Sequence, residues 1–193
     1  MSGIISDNLG RSGGLIKAVA AAGGNFVHLV TQSFSSTLTT FSWDSTYITT
    51  TYDTYLIVWQ MRDACDTCSN DLRMSSNDGS SWSTGYSDQQ SINGAATSVN
   101  HTKGYMQFSQ GSGNAANEYS QGSFWLCNPM SSTFNTSVIA QSFTMNASGQ
   151  SDNVIGAGMN NTNAQDNAIL FGAGGFSVDM ESGEFTLFGV KRS

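Results

Sequence analysis

One polar loop of this sequence holds its densest group of side chains that could bind a metal ion. Asp63, Asp66 and Asp71 lie within nine residues of one another, beside several amide and hydroxyl side chains. Calcium prefers carboxylate and amide oxygens, so the three aspartates are candidate calcium ligands. Their spacing does not follow an EF-hand loop. The competing interpretation is a solvated loop tip whose acids are balanced by Arg62 and Arg73.

The cysteines lie in and around the same loop. Cys65 and Cys68 form a C-x-x-C pair, and Cys127 stands apart from them. A structural zinc site needs four ligands, which would require the isolated His28 and His101 to converge on the pair from distant strands. A thioredoxin-like role needs a βαβ context, which the sequence does not show. We therefore interpret Cys65 and Cys68 as loop thiols, and their spacing leaves open whether they pair.

The sequence contains few candidate residues for hydrolytic catalysis. A glycosidase needs two carboxylates across the scissile bond, and the candidates are Glu118, Glu181 and Glu184. Glu181 and Glu184 flank a Ser-Gly pair, which is typical of a solvated turn. His28 lies in an apolar segment and His101 in a polar one, and no G-x-S-x-G elbow is present. We expect no enzymatic activity and no cofactor.

Three aromatic residues are candidates for binding a ligand. Trp82, Tyr86 and Trp125 lie near polar segments, and aromatic rings of this kind can stack on a sugar. The competing interpretation is that the same rings fill the core or a contact between subunits.

The first 24 residues have the composition of an attachment arm. Small apolar groups alternate with glycine and serine, which raise the entropy lost when a segment becomes ordered. Such a segment cannot build a core of its own and needs another surface to lie on. The candidate partner-binding residues of the arm are Ile4, Ile5, Leu9, Arg11, Leu15, Ile16 and Lys17.

The rest of the chain, residues 25–193, reads as a series of β-strands with no long helix. Short β-branched and aromatic runs alternate with turn residues, as in all-β domains. Residues 75–100 are mostly polar, and we interpret them as a long excursion that begins with an Asn77-Asp78-Gly79 turn. The pattern predicts a jelly-roll-like antiparallel β-sandwich behind the arm. The predicted extended segments are 26–30, 38–43, 47–51, 53–61, 71–74, 104–108, 123–127, 138–145, 154–159, 168–171, 174–178 and 184–190.

Charge and hydropathy exclude two classes of partner. The chain of 193 residues has a net charge of −7 and only 7 lysines and arginines, and no three of these lie together. Nucleic-acid binding requires clustered basic side chains, so we expect none. No apolar run approaches the ~20 residues of a membrane span, so we expect no membrane insertion.

Four short segments are notable for their order along the chain: residues 2–17 (SGIISDNLGRSGGLIK), 52–57 (YDTYLI), 72–79 (LRMSSNDG) and 183–191 (GEFTLFGVK). Taken in this order, they resemble small structural proteins of tailed bacteriophages of the marine and cyanophage type. The resemblance implies a β-sandwich used in capsid decoration (cement), head-fibre or tail-fibre parts, often as a trimer. It implies no catalytic motif, and it makes the arm the attachment element.

Two functions follow as expectations. The first is a trimeric capsid decoration or short head-fibre protein, held by its arm to the major capsid protein or another virion protein and assembled in the host cytoplasm. The alternative is a tail-fibre or receptor-binding module that contacts a host-surface glycan through the polar segments 75–100 and 110–120.

Overall fold

A computed structural model describes residues 25–162 and 164–191, with the backbone alone for residues 96–100. This part of the chain consists of strands and turns, and none of it forms a helix able to span a membrane. The strands are β1 (Phe26–Phe34), β2 (Thr40–Trp43), β3 (Thr54–Asp63), β4 (Cys68–Ser75), β5 (Tyr86–Ile92), β6 (Ala95–Lys103), β7 (Met106–Ser112), β8 (Ser120–Cys127), β9 (Ser137–Met145), β10 (Ser151–Asn160), β11 (Ala168–Ala173) and β12 (Met180–Val190).

The strands form two antiparallel sheets packed as a sandwich, which confirms the predicted fold class. The large sheet has eight strands in the order β1-β12-β3-β8-β9-β10-β5-β6. The small sheet has four strands in the order β2-β11-β4-β7. The β7 strand packs against β9 and β10 of the large sheet, so the small sheet covers the inner side of the large one.

A jelly-roll connectivity lies within this sandwich. Without the β5–β6 and β9–β10 hairpins, each sheet has four strands, ordered β1-β12-β3-β8 and β2-β11-β4-β7. The first and last strands pair, and every connection except that from β4 to β7 crosses between the sheets, as in a jelly roll. The two hairpins then extend the large sheet beyond β8. This extension makes the large sheet twice as wide as the small one.

The β3 strand shows why these segments form strands. Its side chains alternate, with Ile57, Trp59 and Met61 buried and Val58 and Gln60 exposed. A period of two places one set of side chains in the core and the other on the outer face of the sheet. Burial of the apolar set at roughly 25 cal/mol per Å² holds the strand in this register.

An aromatic cluster occupies the space between the sheets. Phe171 on β11 lies at its centre, with ring centroids 4.7 Å from Phe41, 5.1 Å from Trp43 and 5.2 Å from Phe185. Phe108 and Phe124 lie 6.4 and 6.1 Å from the same ring. Phe171 therefore joins β2, β7, β8 and β12 across the sandwich.

The interpretation of residues 75–100 as an excursion without strands is wrong for its second half. β5 and β6 form a hairpin joined by Asn93 and Gly94, whose φ angles are 51° and 83°. Positive φ at both turn positions suits a two-residue turn between twisted strands, and Asn-Gly is the residue pair that adopts it most readily. The Asn77-Asp78-Gly79 turn is confirmed, with φ of 60° at Asp78 and 80° at Gly79.

Two other predicted extended segments are turns. At residues 47–51 the chain turns because the Asp44 carbonyl accepts hydrogen bonds from the Tyr47 and Ile48 N–H groups at 3.0 Å. At residues 174–178 the Ala173 carbonyl accepts from the Phe176 N–H at 2.9 Å. In both places the local hydrogen bonds replace the strand that the β-branched and aromatic residues suggested.

Candidate functional site

The outer face of the large sheet carries a row of apolar side chains that runs across the strands. The strand register makes Phe188, Leu56, Trp125, Ile139 and Ala157 successive neighbours on β12, β3, β8, β9 and β10. Side chains at paired positions point to the same side of a sheet, so these five share one face. The buried residues that alternate with them, such as Phe124 and Leu126, face the core. The row is therefore on the side of the sheet that the small sheet does not cover.

The rows on either side of this one add further apolar side chains. Val58 and Ile155 lie on one side, and Val190 and Met159 lie on the other. We call this surface the apolar band; its residues are Phe26, Leu56, Val58, Trp125, Ile139, Ile155, Ala157, Met159, Phe188 and Val190. Among the described residues, five of the six large hydrophobic side chains classed as exposed belong to it. The exposed apolar surface of the sandwich is thus concentrated rather than scattered.

Aromatic rings lie over the band near β1. The Phe26 ring centroid is 6.0 Å from that of Trp125, although three strand spacings separate β1 from β8 in the sheet order. The His28 ring stands edge-on to Phe188 with the centroids 5.8 Å apart. These contacts cover part of the band, which is why Trp125 and Phe188 are half-buried.

The band contains no charged side chain. From β12 to β5, the outward positions of its three rows hold apolar residues together with serine, threonine, glutamine and one cysteine. The charged side chains of this face lie beyond the band, where Arg62 pairs with Glu181 and Ser33 donates to Glu184 at 2.9 Å. A face that is apolar, aromatic and uncharged resembles the central part of a protein–protein interface.

Two recesses border the band. One, of about 400 Å³, is lined by Ile139, Met159 and His101. The other, of about 510 Å³, lies beside Val58 and Gly122. Both are large enough to receive an aliphatic side chain from a bound protein segment.

Gly122 on β8 allows β8 and β9 to approach each other closely beneath the second recess. A Cβ atom at Gly122 would lie 2.3 Å from the Gln141 carbonyl oxygen and 2.8 Å from the Ser142 Cα. Because both neighbours are backbone atoms, the two strands must separate to admit a side chain.

We expect Gly122→Ala to lower the free energy of unfolding by about 1–3 kcal/mol, the usual cost of an added methyl group in a tightly packed place. Gly85→Ala is the matched control, since the Cβ atom there would meet only the Asn161 Cβ at 4.0 Å. Urea denaturation of both variants measures the difference, and equal losses would contradict the argument from β8–β9 spacing.

The three aromatic candidates do not form one site. Tyr86 has no exposed surface, and its hydroxyl accepts a hydrogen bond from the Met74 N–H at 2.7 Å. Its proposal as a ligand-binding residue is corrected, because a buried ring offers no face to a sugar. Trp82 lies in the β4–β5 connection, where its ring contacts Gly79, and Trp125 lies in the apolar band. Both are partly exposed.

The calcium candidates do not converge. Asp63 and Asp71 are buried, whereas Asp66 is exposed and accepts a hydrogen bond from the Asn114 N–H at 3.2 Å. Within residues 25–162 and 164–191, no three acidic, cysteine or histidine side chains are placed to hold a metal ion. The strand register separates the acids, because Asn70 faces the same side as Leu72 in the core, whereas Asp71 faces the opposite side of β4.

Asp63 belongs to a buried polar cluster at one end of the core. Its Oδ2 accepts hydrogen bonds from Asn70 Nδ2 at 2.7 Å and from the Ser112 hydroxyl. Burial raises the pKa of Asp63 to about 6, against the lowering effect of these hydrogen bonds. The cluster joins β3, β4 and β7, which gives the acid a structural role.

Asp71 lies beneath the β11–β12 connection on the outer side of the small sheet. Its Oδ2 accepts from the Gly175 N–H at 2.7 Å and from the Ser69 hydroxyl at 2.8 Å. Burial raises the pKa of Asp71 to about 7, although Lys103 acts in the opposite direction. The Arg73 guanidinium beside it lies 4.6 Å from the centre of the Phe176 ring. Asp71 therefore holds a loop rather than a metal ion.

Cys65 and Cys68 form a disulfide, which settles the alternative that their spacing left open. The bond closes the β3–β4 connection.

Cys127 is a free, half-buried thiol at the edge of the apolar band, and burial raises its pKa. It is the one cysteine on the outer face of the large sheet.

Of the three carboxylates considered for hydrolysis, two border the same recess and the third does not. Glu118 and Glu184 line one recess of about 550 Å³ together with Arg62. Glu118 is buried, and its Oε2 accepts a hydrogen bond from the Ala115 N–H at 2.8 Å. Glu181 pairs with Arg62 instead. These local bonds indicate that Glu118 and Glu181 hold a loop and a strand end in place.

The arm and its candidate contacts lie outside the described residues. This applies to Ile4, Ile5, Leu9, Arg11, Leu15, Ile16 and Lys17, which remain predictions. Sequence reasoning missed the apolar band, although alternation in residues 138–145 was visible. The signal available was that both alternating sets in β9 and β10 include apolar residues, so that one set had to face away from the core.

A comparison of the chain with protein-family models, curated proteins and solved structures finds no match.

Proposed function

We propose that this chain is a structural protein of a bacteriophage virion, a capsid decoration (cement) or short head-fibre protein that assembles as a homotrimer. The observation that carries the proposal is the apolar band. The largest exposed apolar patch on a soluble protein is often functional, and interface centres are poor in charge and rich in aromatic and methionine residues. A protein partner is therefore the ligand that this face fits best.

The sequence supports the identity of that partner. Four segments in order along the chain resemble phage structural proteins, and the arm precedes a sandwich with no assembled metal site in its described part. A β-sandwich by itself implies no function, so the weight rests on the band and on the resemblance. In this proposal the arm attaches to the major capsid protein or to another virion protein.

The location and copy number of the protein in purified particles test the proposal. We expect quantitative mass spectrometry to find a fixed copy number, in multiples of three per particle, and immunogold labelling to mark the shell. Absence from particles after salt washing would overturn a structural role. Labelling of the tail with a fixed copy number would overturn the capsid assignment and favour a tail-fibre part.

Deletion of residues 1–17 tests the arm separately. We expect the shortened chain to give the circular dichroism spectrum of a β-protein and to be absent from particles assembled in its presence. The matched control is a chain of full length in which Ser2, Ser6 and Ser12 are replaced by alanine, which keeps every apolar residue of the arm. Incorporation of the deleted chain at the normal copy number would refute the attachment role.

A glycan-binding module is the second candidate, and the partly exposed Trp82 and Trp125 rings favour it. An aromatic face beside polar side chains can stack on a sugar. A glycan array with the full chain, repeated with Trp82→Ala and Trp125→Ala, tests it. Binding lost in either variant would support this function, and no binding by the native chain would exclude the glycans on the array.

A further inference from the structure

We infer that the apolar band is the docking site for the N-terminal segment, residues 1–24, of an adjacent copy of this chain. The inference rests on the proposed function and makes it more specific, since it names another copy of this chain as the virion protein to which the arm attaches. Four observations carry it: the size of the band, the spacing of the apolar residues in the segment, the charge of the segment, and the direction of β1.

The band has the size of a bound segment rather than of a sheet-on-sheet interface. Its central row crosses five neighbouring strands, from Phe188 to Ala157, which spans about 19 Å at ~4.8 Å per strand spacing. Three rows give a width of about 14 Å at ~3.4 Å per residue. The resulting area, on the order of 270 Å², is about a third of the ~800 Å² that each partner of a stable interface buries.

The N-terminal segment has apolar residues at a matching distance. Leu9 and Ile16 are seven positions apart, which in an extended chain is about 23 Å. Leu15 lies directly before Ile16, and Ile5 lies four positions before Leu9. A segment laid across the strands can therefore place its two apolar groups near the two ends of the central row.

Charge favours the segment over a second sandwich face. Residues 1–24 contain Arg11, Lys17 and Asp7, so their side chains carry a net charge of +1. Because the whole chain has a net charge of −7, the remaining residues carry a net charge of −8. Two sandwiches brought face to face repel each other, whereas a segment of opposite sign is attracted. The uncharged band removes any need to bury an unpaired charge beneath the segment.

The direction of β1 points the segment to an adjacent copy. The strand pairing continues to Asn25, whose carbonyl accepts a hydrogen bond from the Lys191 N–H at 2.8 Å. Phe26 pairs with Val190 in the outermost row of the band, and the chain runs from there toward the other rows. The N-terminal end of β1 therefore points away from the other rows of the band of its own subunit.

Disulfide trapping with the native Cys127 tests the inference. Cys127 lies in the outermost row of the band beside Ser137, and the other two cysteines already form a disulfide. We introduce Ser12→Cys in the full-length chain, between Leu9 and Leu15, and oxidise the purified protein with diamide. We expect a disulfide between residue 12 of one chain and Cys127 of another, seen as a dimer on a non-reducing gel and identified by peptide mapping.

Two further variants separate docking from random collision. Ile139→Lys places a charge in the centre of the band at a side chain that is 56% exposed, so the fold should tolerate it. Phe134→Lys makes the same change at a side chain that is 64% exposed and outside the band. In the Ser12→Cys background, we expect Ile139→Lys to slow cross-linking about tenfold, equivalent to ~1.4 kcal/mol, and Phe134→Lys to leave it unchanged.

Each other result overturns the inference. These results are no linkage to Cys127, equal rates in the Ile139→Lys and Phe134→Lys variants, or linkage within one chain only. The particle analysis is independent of this experiment. A protein found in particles without the cross-link refutes the docking alone, and a cross-link in a protein absent from particles refutes the virion role alone.

Discussion

Replacement of Phe171 by alanine is expected to lower the free energy of unfolding by about 3–5 kcal/mol, the usual cost of removing a fully buried phenylalanine ring. The ring has no exposed surface and contacts five other aromatic rings, which come from both sheets. The sheets cannot collapse onto the vacant space without moving β2 and β12, so the cavity remains. Most small domains have 5–15 kcal/mol of stability in total, so the variant is expected to be marginally folded at 37 °C.

Phe134→Ala is the matched control for this prediction. It removes the same ring from a side chain that is 64% exposed in the loop between β8 and β9. We expect a change within about 0.5 kcal/mol, as for other surface substitutions. Urea denaturation followed by tryptophan fluorescence measures both variants. A loss below about 1 kcal/mol in Phe171→Ala would show that the two sheets do not depend on this ring.

The second large effect is expected in the pH dependence of stability, through Asp71. Burial raises the pKa of this carboxyl from the ordinary 3.8 to about 7 in the folded protein. Between these values the folded state binds more protons than the unfolded chain, so stability falls as pH rises. The stabilisation is complete below about pH 4 and is lost by about pH 7. A shift of this size corresponds to at most about 4 kcal/mol.

Asp71→Asn should remove the contribution of Asp71 to the pH dependence of stability. The carbonyl oxygen of the asparagine side chain can take the place of Asp71 Oδ2 and still accept from Gly175 and Ser69. Its NH₂ group then takes the place of Asp71 Oδ1, a buried atom that has no hydrogen-bond partner among the described residues. We therefore expect the variant to be more stable than the native protein by a few kcal/mol at pH 8 and equally stable at pH 4. Thermal unfolding across this pH range provides the measurement.

Two comparisons make the pH prediction specific. The exposed Asp66→Asn should change stability equally little at pH 4 and at pH 8. Some pH dependence should remain in Asp71→Asn, because burial also raises the pKa of Asp63, to about 6. A native protein whose stability rises between pH 5 and pH 8 would contradict the direction derived for both acids.

The correct parts of the sequence interpretation share a physical basis. Apolar alternation located β9 and β12 within a few residues, because a period of two is imposed by the pleat itself. A continuous apolar run located β3 but suggested burial on both faces, whereas Val58 and Gln60 are exposed. The Asn77-Asp78-Gly79 turn was recognised because positive φ at two successive residues requires such side chains. Both are local properties, and they survive in any tertiary context that permits a strand or a turn.

The β5–β6 hairpin had a turn signal in the sequence, but the polar composition of the segments on both sides outweighed it. Asn93-Gly94 is a strong two-residue turn pair, but β5 and β6 on either side of it are mostly polar. Their polar side chains suit strands because Asp88 Oδ2 on β5 accepts from Lys103 at the end of β6 at 3.2 Å, and the same lysine donates to Gln107 on β7 at 2.5 Å. That ion pair joins residues from different strands and cannot be seen in either segment alone.

The sequence by itself determined that this chain forms a turn-rich β-sandwich without the basic clusters of nucleic-acid proteins, since alternation and composition are local or additive properties. The cysteine pairing and the separation of Asp63, Asp66 and Asp71 depended on how the β3–β4 connection passes from one sheet to the other. Only the tertiary structure decided that Leu56, Trp125, Ile139 and Phe188 form one surface. These residues are distant in sequence, and they become neighbours because strand order and register, which long-range burial selects, bring them into one row.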